Sequence, residues 1–267
     1  MGALTPKLSL DELREQYAAP ASAKARRSFL LVGDSGSGKT RTACTAPGPV
    51  MLHCFDPGGW TTVQSQINDG SVLLRDFSST GDKPVQFKQW QEEMDRLYAG
   101  DAFKQIGTYV LDSLTTFSDH IMDHVLKANK RLGEVPQLKD YNSQITWINN
   151  VFRNLMQLPC NIVITAHLDR KQDMETGRIV TQMMVTGRAN AKIPLLVDEV
   201  YLLEHKGGAK GSWVMHTKPA KGFSCRSRLA SYVPIKPEEV PDLSAILDKI
   251  TEAEEKEGSD TKTDGPA

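Results

Sequence analysis

Eight consecutive residues, Gly33-Asp34-Ser35-Gly36-Ser37-Gly38-Lys39-Thr40, combine three glycines, a lysine and a terminal hydroxyl in the spacing G-x-x-x-x-G-K-[ST]. Glycines lack the Cβ that would keep backbone N–H groups from converging on phosphate oxygens, Lys39 adds a full positive charge, and the Thr40 hydroxyl can ligate Mg²⁺. This is the chemistry of a triphosphate cradle, with Gly33 through Arg41 as candidate ATP-binding residues and the start of the following helix expected to add partial positive charge. Magnesium asks for a second oxygen donor opposite Thr40. Asp112, which ends the apolar run Tyr109 to Leu111, can supply it; the alternative is that its carboxylate caps the helix that follows it.

Two more groups belong to the same chemistry if the strands are parallel, because ligands of open α/β sheets collect beyond the carboxyl ends of the strands. Asp56 follows the apolar stretch 49–55, and His167 ends Ile164 to Ala166. A neutral imidazole at that tip can contact a γ-phosphate and report its loss, or it can be a histidine satisfied at a strand end. Asn142 and Gln144 are weaker candidates for polarising water. Arg226 and Arg228, in R-x-R spacing, fit either a guanidinium pair reaching a neighbouring subunit's γ-phosphate or a nucleic-acid contact. His120 and His124 are four apart, yet no H-E-x-x-H accompanies them.

The elements that must position these groups are legible from periodicity. Ser28 to Val32 predicts a buried strand entering the glycine loop, and residues 41–45 continue a helix out of it. Strands are predicted over 49–55, 72–74, 109–112 and 161–165. Helices are predicted over 87–98, 114–132 and 141–158. The alternation implies an α/β domain with a mostly parallel central sheet and helices on both faces. Residues 198–204 and 212–217 predict a C-terminal β-hairpin across Lys206 to Gly211. An N-terminal arm, 1–26, is expected to hold a short helix over 8–17, the ATPase domain to span 27–236, and the acidic tail 237–267 to be largely disordered.

The chain has 267 residues, 39% of them hydrophobic, enough for one sizeable core. Its net charge of −1 hides an asymmetry, because residues 237–267 carry ten acidic and three basic side chains, while 205–236 carry seven Lys or Arg and no acid. The basic stretch suggests a polyanion or a solvated basic edge. Four scattered cysteines form no C-x-x-C pair. No run is long enough to span a membrane and no secretory signal is visible, so a cytoplasmic protein is expected.

With these residues in hand, the stretch from about Arg27 to Tyr232 resembles the RecA-like P-loop ATPase core, in particular the compact phage ATPases of the Sak-type single-strand annealing group. The most specific part is residues 164–170, then 175–177, then 192–201. The resemblance implies an ATP- and Mg²⁺-dependent, DNA-stimulated ATPase that assembles as a homo-oligomeric ring or filament on single-stranded DNA in a bacterial host's cytoplasm, alongside a single-strand-binding protein. It implies catalytic roles for Lys39, Asp56, Asp112 and His167, trans-acting roles for Arg226 and Arg228 at inter-subunit sites, and a flexible DNA-binding loop over 168–188 carrying Arg170, Lys171, Arg178 and Arg188. Where that family places a water-activating acid two residues beyond an Asp, this chain has Gly58, which leaves Asp56 as substitute or hydrolysis slow. A helicase-like motor or loader, a P-loop small-molecule kinase and a non-hydrolysing DNA-binding module are the alternatives.

Overall fold

A computed structural model of the chain describes Ser9 and residues 26–78, 84–172, 174, 177, 179–207 and 211–260. The expected helix at 8–17 and Arg178 lie outside the described residues. The run from Ser28 forms β1 (Ser28–Gly33), buried along its whole length. Its side chains alternate between two cores, Phe29 and Leu31 in one, Leu30 and Val32 in the other. That two-sided burial is why the run reads as continuously apolar rather than alternating.

β1 lies between β5 (Asn161–Gln172) and β7 (Glu199–Lys206), parallel to both, with Gly33 in register with His167. Beyond β5 come β4 (Thr108–Asp112), β2 (Val50–Cys54) and β3 (Val72–Asp76), all parallel. Beyond β7, β8 (Ser212–His216) pairs antiparallel as the hairpin partner, and β10 (Glu238–Glu239) follows it. The path through the described strands is β10-β8-β7-β1-β5-β4-β2-β3, with β6 (Ile179–Met183) on β5 and β9 (Arg226–Ser227) on β7. The mostly parallel sheet, covered on both faces, is therefore the one that the sequence predicts.

One face is covered by α3 (Gln86–Ala99), α4 (Leu114–Ala128), α5 (Leu138–Leu155) and α6 (Ala189–Leu196), which supply Phe87, Trp90, Phe117, Ile121, Ile148, Phe152 and Ile193 to the first core. The other face receives the short α1 (Lys39–Ala43) and α2 (Gln64–Asn68), together with α7 (Leu243–Asp260). Helix α4 stops at Ala128, short of the predicted 132. Lys130 takes a left-handed φ of 56°, and the N–H groups of Lys130 and Arg131 bond back to Lys127 and Leu126 at 3.0 and 2.8 Å, the pattern that closes a helix C-terminus. Helix α5 starts early because Gln137 and Asp140 form a capping box.

Two expectations are corrected. Residues 168–188, expected as a flexible loop, continue β5 to Gln172 and return in β6, whose residues 179–181 are β-branched and suit a strand. The tail, expected to be disordered from 237, contains α7. Leu243, Ile246, Ile250 and Ala253 form a buried seam at helical spacing against Phe29, Leu31 and Tyr201, Ala245 N donates to the Asp242 carboxylate at its start, and Glu254 pairs with Arg27. The acidic residues occupy the other positions of the helix, so the charge count masked the spacing. Residues 261–267 lie outside the described residues. Replacing Ile250, 2% exposed, by alanine is expected to lower unfolding free energy in urea by about 2–4 kcal/mol, whereas a disordered tail would give no change.

Candidate active site

The loop leaving β1 turns back on itself through Gly36 and Gly38, at φ 76° and 89°, values that side chains with a Cβ adopt only under strain. At Gly38 a Cβ would in addition approach the ring of Trp213 to 3.0 Å. The turn delivers Lys39, only 7% exposed, into the loop, where its ammonium donates to the carbonyls of Gly33 and Asp34 at 3.0 and 2.9 Å. Burial pulls the Lys39 pKa down, while the carboxylates of Asp112, Asp56 and Asp34 oppose that shift. Helix α1 spans five residues, so the expected helix-terminus charge is confined to the loop's own amides and the first turn.

Thr40 and Asp112 meet as predicted. Thr40 Oγ1 donates to Asp112 Oδ2 at 2.7 Å, and the other carboxylate oxygen accepts from Thr165. Asp112 is fully buried, and desolvation pushes its carboxyl above the usual range against those two hydrogen bonds and the Lys39 charge. The helix cap is made by the neighbouring residue, since Ser113 Oγ accepts from Thr116 N at the start of α4. Asp112 is thereby left to the phosphate loop, and the capping alternative falls away.

His167 bridges the lysine and the second carboxylate. Its Nδ1 is 3.4 Å from Lys39 Nζ and its Nε2 is 2.9 Å from Asp56 Oδ2. An ammonium can only donate, so Nδ1 accepts and the ring proton resides on Nε2, directed at Asp56. The backbone N of His167 is held by Thr115 Oγ1 at 3.0 Å. Burial raises the Asp56 pKa, but hydrogen bonds from His167, Thr116 and Ser113 outweigh it and hold the carboxyl down at about 2.

Of these groups, Lys39, Thr40, Asp56, Thr116 and His167 line a cleft of about 700 Å³ running from Asp56 and Gly58 past Lys39, Thr40 and Arg41 to Trp213. The donor set fits Mg-ATP. A Cβ-free turn leaves room for phosphate oxygens, Lys39 is the buried cation, and the Thr40 and Asp112 oxygens are adjacent hard ligands of the kind magnesium takes.

The remaining predicted residues divide. Arg170, on β5, reaches the loop and forms a bidentate pair with Asp34 at 2.9 and 2.6 Å. Lys171 pairs with Asp169 at 3.0 Å, and Arg188 is exposed ahead of α6. Arg226 and Arg228 are not brought to the cleft. β9 pairs with the start of β7, at the opposite end of the sheet from the glycine loop. There Arg226 donates to the carbonyls of Pro194 and Val197, both at 2.6 Å, and Arg228 binds Asp198 and the Leu195 carbonyl. Gln144 is buried against Ser118; Asn142 is exposed on α5. The acid-free basic stretch finds its counter-charges outside itself, Lys206 on Glu238 and Lys221 on Glu204. Sequence reasoning missed Trp213, Thr165 and Thr116. Thr165 alone carried a signal, as the one hydroxyl inside an apolar strand.

Fold and site together define a P-loop ATPase. The chain belongs to the AAA_24 family, described as an AAA domain, whose model matches residues 25–229. Among solved structures it is similar to the flagellar accessory protein FlaH from Methanocaldococcus jannaschii, at 9% identity and a TM-score of 0.40 over 87% of this chain and 91% of that one. It is also similar to a prototypical ATPase from the type III secretion system of pathogenic bacteria, at 15% identity and a TM-score of 0.39 over 67% of this chain and 52% of that one. No curated protein matches. Among the described residues no helix is long and apolar enough to cross a membrane.

The Asp56 shift has a measurable sign. A carboxyl held at about 2 in the folded chain, against about 3.9 unfolded, stabilises the fold above pH 4, and that contribution is lost as pH falls through 2. Wild-type unfolding free energy is expected to drop between pH 5 and pH 2 by on the order of 2 kcal/mol more than that of Asp56→Asn. Parallel curves would show that the Asp56 contacts do not form.

Proposed function

We propose that this ATPase works on single-stranded nucleic acid, in a homo-oligomer, with strand annealing or exchange as the activity that its resemblance implies. The observation that carries the reading is the tie between Arg170 and Asp34, which connects the β5–β6 hairpin directly to the phosphate loop. The hairpin offers Arg170 and Lys171, with Arg188 just beyond it, for backbone phosphates. Ile179 and Val180, 67% and 45% exposed, offer apolar surface to unstacked bases. A strand phosphate that engaged the Arg170 guanidinium would release Asp34, so occupancy of the hairpin is felt at the loop.

Within the site, the backbone of Gly36 and Gly38 and the Lys39 ammonium bind the terminal phosphates, and Thr40 with Asp112 would hold Mg²⁺. Magnesium held there would supply positive charge to offset that of the terminal phosphates. Asp56 fixes the His167 ring so that Nδ1 faces the lysine and the phosphate position. With its carboxyl at about 2 and three hydrogen bonds already accepted, Asp56 acts as the orienting group for His167 rather than as a proton acceptor.

The test is ATP turnover with and without oligo-dT. The rate is expected to rise with DNA, and the rise to shrink between 50 and about 200 mM salt as counterion release weakens binding. Arg170→Ala should cut the DNA-stimulated rate by about 5-fold or more while Mg-ATP still binds. Phosphate transfer to a nucleoside with no response to DNA would overturn the proposal and identify a kinase.

A further inference from the structure

The cleft is chemically unequal across the sheet. On the side of β4 and β2 it is lined by His167, Thr116, Asp56 and Gly58, and His167 reaches the lysine ammonium there. On the other side of β1, two strands away, lies Trp213 of β8, an indole that also lines the cleft. Trp213 is 49% exposed, large for an indole with so specific an anchorage. Its Nε1–H donates to the Gly36 carbonyl at 3.1 Å, its Cδ1 sits where a Cβ on Gly38 would approach it to 3.0 Å, and the His205 ring packs on it with centroids 4.6 Å apart and planes inclined by 39°. The ring is therefore fixed in orientation by three contacts, yet about half of it stays exposed and it contributes to the wall of the cleft.

We propose that Trp213 is the stacking platform for the purine base of the nucleoside triphosphate. This rests on the nucleotide reading of the glycine loop and adds to it the residue that holds the base. A triphosphate whose terminal group meets Lys39 on the His167 side leads its nucleoside toward the other side of β1, where Trp213 offers a large π-face at little cost in side-chain freedom, its indole being already held. The pyrrole N–H is spent on Gly36, so the ring offers the base a face and no hydrogen-bond donor. Recognition at this contact is by stacking, which every purine can satisfy.

Calorimetric titration of the full chain with Mg-ATP, Mg-GTP and inorganic tripolyphosphate separates the roles. In Trp213→Leu the affinities for ATP and GTP are expected to fall by roughly 10-fold each, about 1.4 kcal/mol, while tripolyphosphate binding stays unchanged. Trp213→Phe, which keeps an aromatic face but not the bond to Gly36, should retain most ATP affinity. Equal loss of ATP and tripolyphosphate would reduce Trp213 to a brace for the loop and overturn the proposal, as would ATP binding indifferent to both substitutions. If wild-type protein binds none of the three ligands, the nucleotide reading itself fails; if it binds them through Lys39 but without discrimination by Trp213, only the platform does.

Discussion

A lysine ammonium withdrawn from water must be met by acceptors on every side, and the carboxyl end of this sheet is arranged around that demand. Lys39 has three N–H donors to place and almost no solvent to place them in. Two loop carbonyls take two of them, the His167 nitrogen another, and the carboxylates of Asp112 and Asp56 complete the field. The histidine and the two carboxylates are far from the loop and from one another in sequence. The parallel pairing of β1 with β5, which aligns Gly33 with His167, and of β2 with β4, which aligns Cys54 with Asp112, brings them to one level. The sheet register is thus what neutralises the buried charge.

The two carboxylates answer that field in opposite ways. Asp112 is sealed from solvent, and desolvation dominates its titration. Asp56 keeps enough hydrogen bonds from His167, Thr116 and Ser113 to remain an anion. Environments that drive paired carboxyls apart assign them different work. The sealed one, facing Thr40, requires a cation to be comfortable when ionised, which suits a metal ligand. The bonded one has its lone pairs committed and serves to fix an imidazole.

How much of this could be read from the chain varies with the reach of each contact. The strands of the parallel core announced themselves because burial on both faces makes them continuously apolar, and the glycine loop because its spacing is dictated by backbone geometry. Asp56, Asp112 and His167 were placed together by a topological argument alone, and Asp112 and His167 lie within hydrogen-bond range of Thr40 and Lys39. Helix α7 was hidden because ten acidic residues drew attention away from four buried apolar ones. Trp213 had no local signal: it meets Gly36 across 177 positions, through a hairpin whose register decides which side chain faces the loop. Arg226 and Arg228 illustrate the converse. Their spacing suggests reach, but antiparallel pairing with the start of β7 sends them to the other end of the sheet.

Two hairpins therefore touch the glycine loop from β1's two neighbours, β5–β6 through Arg170 on Asp34 and β7–β8 through Trp213 on Gly36. They hold it with different strengths. The Arg170–Asp34 pair is well formed but half exposed on both sides, at 50% and 54%, and a pair so placed contributes about 1 kcal/mol at most. It can open without endangering the fold. The Trp213 contact combines a hydrogen bond with close cover of Gly38, where the left-handed turn leaves no room for a side chain. One neighbour of the loop is thus readily released and the other firmly seated, so that a change in the loop is transmitted to the β5–β6 hairpin at lower cost than to β7–β8. The polar, solvent-facing attachment is the one suited to report the state of the site, and the aromatic one to define its shape.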